Sequence, residues 1–150
     1  MAQVTGQMTM RNALVEVSFD NKSTWDDISG AFNAVDPAGG DWQTGETYTA
    51  DGDTALIGIG KRQPKNVKIR VVYTEGVAAV VMKAKAAYDA GDQVAVRWSP
   101  KGGATGDYEY ESGSGYITTD PLPGGEVQSG TPILVEFNIF TAEVASAVVT

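Results

Sequence analysis

Three motifs in this chain contain residues that could bind a ligand or carry out a reaction. Residues 58–62, Gly-Ile-Gly-Lys-Arg, have the glycines and the lysine of a phosphate loop, and residues 51–53, Asp-Gly-Asp, have the first acids of a calcium loop. Carboxylates at Glu46, Glu109 and Glu111 have aromatic residues nearby, and paired carboxylates are the groups that cleave glycosidic bonds. Each motif predicts a site only if its neighbours complete the pattern.

The glycine motif does not complete a phosphate loop. That loop requires Gly five residues before the Gly-Lys pair and Ser or Thr after the lysine, where this chain has Ala55 and Arg62. The alternating residues that follow indicate a strand and not a helix whose N-terminus could hold phosphate. The motif therefore predicts a strand whose glycines let another backbone pass close, followed by a basic turn.

The two acidic motifs are also incomplete. After Asp53 the chain continues Thr-Ala-Leu-Ile-Gly, which supplies no carboxylate for calcium, so an Asp-Gly turn is predicted there. A glycosidase also needs a proton donor in an apolar pocket. Because Glu109 and Glu111 alternate with Asp107 on one strand face, the pattern is typical of a solvated surface and does not predict hydrolysis.

The amino-acid composition excludes most other catalytic and metal-binding sites. The 150 residues include no cysteine and no histidine, which excludes disulfides, zinc-thiolate sites and a Ser-His-Asp triad. We therefore predict a protein that is not an enzyme and needs no cofactor or metal. The N-terminus lacks the pattern of a secretory signal, and no apolar run approaches the roughly 20 residues that span a bilayer, so no membrane anchor is expected. The length predicts a single domain over residues 1–150.

Charge is distributed unevenly along the chain. The net charge is −8, yet five of the eleven basic residues lie within ten positions: Lys61, Arg62, Lys65, Lys68 and Arg70. A cationic patch on an acidic molecule can dock on the acidic side of another copy. We predict a subunit interface in which these five cations face Asp107, Glu109 and Glu111. A second interpretation is that the five charges keep a strand edge soluble and unpaired.

Alternation of apolar and polar residues predicts a mainly β protein. Strands are expected at residues 13–19, 25–35, 67–73, 93–99, 107–111, 116–118 and 133–140. The clearest of these strands places Val67, Ile69 and Val71 on its inner face. Residues 77–90 carry an apolar stripe at helical spacing and are followed by Gly91, so a single helix is expected there, lying against one face of a sheet.

Two long segments are predicted to be loops. Residues 36–53 are polar and rich in turn formers but contain Trp42 and Tyr48, and residues 120–132 are rich in Pro and Gly. Loops of this length in compact domains are usually functional or disordered, and the embedded aromatic residues favour a contact with a partner. The first loop is therefore the predicted contact site.

The order of these segments resembles that of a known family. Residues 25–30 read Trp-Asp-Asp-Ile-Ser-Gly, and after the long polar loop residues 58–76 read GIGKRQPKNVKIRVVYTEG and lead straight into the helix. Residues 94–106 read VAVRWSPKGGATG, Tyr116-Ile-Thr follows a glycine-rich return, and residues 136–140 read Glu-Phe-Asn-Ile-Phe. In this order and spacing, over nearly all of its length, the chain resembles the major tail tube proteins of long, non-contractile phage tails and of related gene-transfer particles.

The resemblance implies a fold and a structural function. The fold would be a β-sandwich or barrel of two packed sheets with one α-helix packed on the outside. Six subunits would form a ring, and stacked rings would make a hollow tube that surrounds a tape-measure protein and later conducts DNA without binding it specifically. The partners would be further copies of the chain, a tail terminator and baseplate hub proteins, in a virion tail assembled in the cytoplasm of the bacterial host. Residues 36–53 would be the ring-stacking loop, with contacts from Asp41, Trp42, Glu46 and Tyr48.

Two other interpretations stay open. A soluble β-sandwich binding module, for carbohydrate or protein, could use Trp42, Tyr48 and Trp98. A tail terminator or a baseplate ring protein would share the tube fold, although the long loop favours the repeating tube component. The size of the protein as a function of concentration separates an assembling subunit from a monomeric binding module.

Overall fold

The computed structural model describes residue 3 and residues 5–150, and these residues form eleven strands and one α-helix. The strands are β1 (Leu14–Ser18), β2 (Asp26–Asp27), β3 (Phe32–Gly39), β4 (Trp42–Thr47), β5 (Leu56–Arg62), β6 (Lys65–Val72), β7 (Gln93–Ser99), β8 (Tyr108–Ser112), β9 (Gly115–Ile117), β10 (Leu134–Thr141) and β11 (Val144–Val148). The helix α1 (Ala78–Ala90) lies between β6 and β7 in the chain. The described chain is mainly β, as the alternation predicted.

Two antiparallel sheets share the strand β7. The first contains β2, β1, β7, β8 and β11, and the second contains β7, β9, β10, β6 and β3. The strand β7 joins them because Gln93 and Val94 pair with β9, whereas residues 95–99 pair with β1. The longest pairing of the second sheet is that of β6 with β10, in which Phe137 lies opposite Ile69.

One apolar core lies between the two sheets. Its buried residues include Val67, Ile69, Val71, Val135, Phe137 and Ile139 from the second sheet, and Val15, Val17, Val94, Val96 and Trp98 from the first. These residues recur at every second position of their strands, which confirms the inner face predicted for Val67, Ile69 and Val71 of β6. The predicted fold class, two packed β-sheets with one helix, is confirmed.

The helix α1 packs its apolar stripe against this core. Val81, Ala84 and Ala87 are buried members of the core, and Val77 joins them from the position before the helix. The helix ends at Gly91, whose backbone is left-handed, with φ of 71°. Because glycine adopts this conformation without steric cost, it stops the helix where the sequence predicted.

The segment predicted as a loop, residues 36–53, is largely β-strand. The strand β3 continues to Gly39, β4 follows it, and only residues 48–55 form the turn between β4 and β5. The strand β5 likewise runs into β6 through Gln63 and Pro64, so the basic residues lie on two strands and not at a turn. The loop prediction was wrong because β4 buries no side chain and therefore lacks the apolar alternation by which strands are recognised.

The strand predictions differ from the structure in two further places. Residues 25–35 are not one strand, because β2 is two residues long, Gly30 lies in a turn, and β3 begins at Phe32, with a β-bulge between Phe32 and Ala34. The strand β11, which pairs with β8, was not predicted at all. Its signal is weak because four of its five residues are exposed, so the strand has no apolar face.

Candidate assembly interface

The strands β4 and β5 form a hairpin that extends β3 and β6 beyond the core. We call residues 40–63 the arm. At its base, the Gly40 N–H donates to the Pro64 carbonyl at 3.1 Å. Gly39 and Gly40 have φ values of 82° and 78°, and a Cβ on Gly39 would lie 2.6 Å from the Pro64 carbonyl oxygen. Only glycine fits this bend, so the two glycines set where the arm begins.

Every residue of β4 and β5 is exposed, including the large apolar side chains. Ile57 is 79% exposed and Ile59 is 67% exposed, and Trp42, Tyr48 and Leu56 are each more than half exposed. An isolated two-stranded hairpin is marginally stable in water, and a group of large apolar side chains exposed on one element is typical of a protein interface. The arm therefore has the properties of an element that completes its packing against another molecule.

The two faces of β5 differ. Ile57 and Ile59 alternate onto one face, whereas Gly58 and Gly60 lie on the other. No atom of the described chain would lie within 4 Å of a Cβ on Gly58, whereas the Gln43 carbonyl oxygen would lie 3.6 Å from a Cβ on Gly60. That another backbone passes close to Gly58 stays a prediction. Sequence reasoning missed the two isoleucines as contact residues. The signal was their alternation with Gly58 and Gly60, since the middle of β5 carries side chains on one face only.

The four residues predicted to contact the next ring all lie on the arm. Asp41 precedes β4, Trp42 and Glu46 belong to it, and Tyr48 follows it. All four are exposed. The guanidinium carbon of Arg62 lies 5.4 Å from the centre of the Trp42 ring, which is a cation–π contact. The structure brings the four residues together on one hairpin, and their contact with another ring stays a prediction.

The predicted cationic patch lies along β5 and β6. Its residues are Lys61, Arg62, Lys65, Lys68 and Arg70. Arg70 pairs with Glu136, with its Nη2 3.0 Å from Oε2. Within the part of the chain that the structure describes, no carboxylate lies within 4.0 Å of the other four cations. Four cations of the patch are therefore available to a partner.

The three acids predicted to face this patch already have partners within the chain. Lys22 donates to Glu111 at 3.1 Å, and Glu109 lies 3.9 Å from the Nε of Arg97. Asp107 accepts a hydrogen bond of 2.9 Å from the backbone N–H three residues before it. A neighbouring cation would have to share these carboxylates. The pairing of the patch with Asp107, Glu109 and Glu111 stays a prediction that nothing in the structure tests.

The carbohydrate platform proposed from Trp42, Tyr48 and Trp98 is wrong. Trp98 is 6% exposed, and its ring stacks on that of Tyr110 with 5.8 Å between the centroids. It is a core residue, and its face is covered by a neighbouring ring. Trp42 and Tyr48 remain exposed on the arm, where they cannot combine with Trp98 into one sugar-binding surface.

The remaining motifs fold as plain strands and turns. Residues 58–62 belong to β5 and run into β6 without an intervening helix, so the phosphate-loop geometry is absent from this segment. Among the described residues there is no cluster of three or more acidic side chains placed to hold a metal ion. In the same residues, α1 is too short to be a membrane-crossing helix, and no other helix meets that requirement.

Comparison with known proteins bears on the fold. No protein-family model matches the chain, and no curated protein matches it. Among solved structures, a chain of the PVC sheath-tube complex, an extracellular contractile injection system in its extended state, has a TM-score of 0.69 at 14% identity, covering 95% of this chain and 93% of that chain. The tail of an empty GTA particle has a TM-score of 0.65 at 12% identity, covering 93% and 97%. The SPP1 tail tube has a TM-score of 0.63 at 11% identity, covering 95% and 80%.

The chain has the tail tube fold. The likeness extends over nearly the whole chain. A chain from the tube-terminating cap of the anti-feeding prophage and a chain from the PVC sheath/tube terminator are also similar in fold. The resemblance in sequence order predicted a protein of long, non-contractile tails. The fold does not restrict the chain to that class, because a contractile injection system shares it.

Proposed function

We propose that this protein is the structural subunit of a tail tube, in which copies form rings and the rings stack into a hollow cylinder. The observation that carries the proposal is the arm, which exposes Ile57, Ile59 and Trp42 on strands that bury nothing within one chain. Exposed strands of this kind promote aggregation in a monomer, whereas ordered contact with identical neighbours covers them. The protein is structural and not catalytic, and the fold it shares with tube components supports this role.

Each ring contains six copies. The GTA tail that shares the fold has C6 symmetry, which supports this number. A ring is built from heterologous contacts, in which two different patches of each subunit meet. The four unpaired cations of β5 and β6 supply one patch, and an acidic surface of the next copy supplies the other. Asp107, Glu109 and Glu111 are one candidate for that acidic surface.

Stacking and transport complete the proposal. The arm contacts the next ring through Asp41, Trp42, Glu46 and Tyr48. The channel holds a tape-measure protein during assembly and conducts DNA afterwards, and an overall charge of −8 keeps the DNA phosphates from adhering to the protein. A tail terminator and baseplate hub proteins close the two ends. The protein functions in the virion tail after assembly in the cytoplasm of the bacterial host.

Light scattering and negative-stain electron microscopy over a concentration series test the proposed function. The expected result is monomer at low concentration and rings or tubes at high concentration. The control is a variant in which an Asn-Gly turn replaces residues 41–62, because no buried core residue lies in that range. This armless variant is expected to fold and to stay monomeric. Inert monomers of the wild type at every concentration would contradict the proposal.

A second candidate function is that of a tube terminator or a baseplate ring. It is favoured because this chain is similar in fold to a chain of a sheath/tube terminator and to a chain of a baseplate with 6-fold symmetry. The same micrographs separate the two functions, because a terminator closes as single rings whereas a tube subunit forms cylinders of many rings.

A further inference from the structure

The side of the helix α1 that points away from the core carries little charge. Four residues follow one another there at helical spacing, opposite the buried residues of the helix: Ala79, Met82, Ala86 and Asp89. We call these four residues the α1 outer face. All four are exposed, and Met82 is 64% exposed. The solvent side of a surface helix normally carries mostly charged and polar residues, so an exposed methionine between two alanines indicates a contact surface.

A pocket opens between the two sheets beside β11. It has a volume of about 330 Å³ and is lined by Pro37, Lys65, Trp98, Tyr110, Val144 and Ser146. The rings of Trp98 and Tyr110, which stack on each other, form part of its wall. No carboxylate of the described chain lies within 4.0 Å of the Lys65 ammonium group. The pocket is therefore mostly apolar, with one cation that has no acidic partner.

The helix and the pocket lie at opposite ends of the first sheet. The end strands of that sheet are β2 and β11. The helix lies beside β2, because the Nζ of Lys83 is 3.1 Å from Oδ2 of Asp26. The pocket lies beside β11, which contributes Val144 and Ser146 to its lining. In a ring, each copy contacts its two neighbours through two different sides. The helix side of one copy is therefore placed to meet the pocket side of the next.

We infer that Met82 of one copy inserts into the pocket beside β11 of the next copy around the ring. The inference rests on the proposed ring. A methionine side chain adapts to irregular apolar cavities, and its sulfur makes favourable contacts with aromatic rings, which Trp98 and Tyr110 supply. Ala79 and Ala86 lie on either side of Met82, and their small side chains let the helix approach the rim of the pocket closely.

Charge complementarity supports the same arrangement. Asp89 lies about two helical turns beyond Met82 on the α1 outer face. Its Oδ1 accepts from Lys85 at 2.9 Å, but the side chain is still 59% exposed and its Oδ2 takes no part in that hydrogen bond. Lys65 at the pocket is a cation that can pair with this second oxygen. The acid and the base come together when the α1 outer face of one copy covers the pocket of the next.

A twofold dimer is the competing arrangement. It would place the α1 outer face of one copy against the same face of another copy. That contact would cover Met82 but would leave the pocket open and Lys65 without an acidic partner. The head-to-tail contact covers the helix face and the pocket together, and it repeats from copy to copy around a ring.

Crosslinking tests the contact directly, because the chain contains no cysteine of its own. Met82→Cys with Ser146→Cys places one thiol on the α1 outer face and one at the pocket. When assembled tubes of this variant react with a short bifunctional maleimide, a denaturing gel is expected to show a ladder of covalent oligomers up to the closed ring. Assembled tubes that give no ladder overturn the inference.

Two further variants make the crosslinking result specific. Met82→Cys alone is expected to give no crosslinked product, and a covalent dimer from it would indicate the twofold arrangement and overturn the inference. The matched control is Met82→Cys with Ser129→Cys, which combines the same helix position with an exposed serine between β9 and β10. It is expected to give no ladder, and a ladder as strong as that of the pocket variant would also overturn the inference.

A charged substitution tests how much the contact contributes to assembly. Met82→Asp is expected to fold, because the side chain is mostly exposed in one chain. It is expected to raise the concentration needed for tubes by at least about tenfold, since a carboxylate would have to leave water for an apolar pocket. Val127→Asp makes the same kind of change at a fully exposed residue outside both surfaces and is expected to assemble as the wild type does.

Normal assembly of Met82→Asp overturns the inference and leaves the tube function intact. A wild type that forms neither rings nor tubes overturns both. If circular dichroism shows that Met82→Asp is unfolded, Met82→Gln replaces it, and normal assembly of that variant also overturns the inference.

Discussion

Lys85 joins the helix α1 to the segment that follows β9. Its Nζ donates to Asp89 Oδ1 at 2.9 Å and lies 3.1 Å from Asp120 Oδ1. The hydrogen bond to Asp89, followed by that to Asp120, raises the pKa of Lys85 above its usual 10.5. We expect the stabilisation from Lys85 to be complete below pH 10.5 and to be lost as the pH rises through the raised pKa of the folded state.

Thermal unfolding of the wild type and of Lys85→Gln measures this effect. At neutral pH the variant is expected to have the lower Tm, and the difference is expected to shrink as Lys85 loses its proton in the wild type. Lys101→Gln is the control, since that side chain is 69% exposed and 3.9 Å from Asp107, and its effect is expected to be small at every pH. If the difference in Tm between the wild type and Lys85→Gln stayed constant up to strongly alkaline pH, the stabilisation would not come from the charged form of Lys85.

Asn138 is a buried amide that joins β6, β10 and the residue after β9. Its Oδ1 accepts from the Thr118 N–H at 3.2 Å, and its Nδ2 donates to Asn66 Oδ1 at 2.8 Å and to Thr118 Oγ1 at 2.6 Å. Asn138→Ala leaves these groups without their partner and is expected to lower the free energy of unfolding by about 1–3 kcal/mol in urea denaturation. The exposed Asn33→Ala should stay within about 0.5 kcal/mol of the wild type. Equal stability of the two variants would show that the network contributes nothing.

At the scale of the element, the arm is expected to contribute to assembly but very little to the stability of the monomer. Ile57→Thr with Ile59→Thr keeps the β-propensity of β5 and removes exposed apolar surface. The monomer is expected to keep its unfolding free energy within about 0.5 kcal/mol, because both side chains are mostly exposed within one chain. Tubes are expected to form only at higher concentration, as measured by sedimentation. The control is Val127→Thr, a fully exposed residue between β9 and β10, and the argument fails if both proteins sediment alike.

The arm also contains the part of the fold that the sequence alone could not predict. The strands β6 and β10 were predictable because Val67, Ile69 and Phe137 recur with period two, and such alternation reflects burial of one face. The strand β4 gave no such signal because it buries nothing within one chain. In the proposed tube, the residues that would give β4 a covered face belong to another molecule, and no pattern along one chain records such a contact.

The candidate interface was predictable in part for a related reason. The cationic patch is visible in the sequence because its bases are neighbours along two consecutive strands. The engagement of Glu111 by Lys22, 89 residues earlier, follows from tertiary packing that no local pattern records. The contact of Glu109 with Arg97 likewise depends on the pairing of β7 with β8. The sequence therefore revealed one side of the interface and not which acids remain free to meet it.

Across the whole molecule, resistance to hydrogen exchange is expected to be unevenly distributed. No buried residue lies within residues 40–63, and the hydrogen bonds of β4 and β5 belong to an exposed hairpin of two strands. In the monomer, the amides of the arm are therefore expected to exchange at nearly unprotected rates, while those of β6 and β10 are strongly protected. In tubes, exchange in the arm is expected to slow by at least about tenfold, because its strands gain packing and hydrogen-bond partners.

Hydrogen exchange followed by mass spectrometry, on monomers and tubes from one preparation, measures this difference. Residues 124–131 are the internal control, since they are exposed and lie outside the arm, and their exchange is expected to be similar in both states. Strong protection of the arm in the monomer would mean that the hairpin is stable without neighbours. Its exposed isoleucines would then need no covering, and the physical reason for assembly drawn from the arm would be removed.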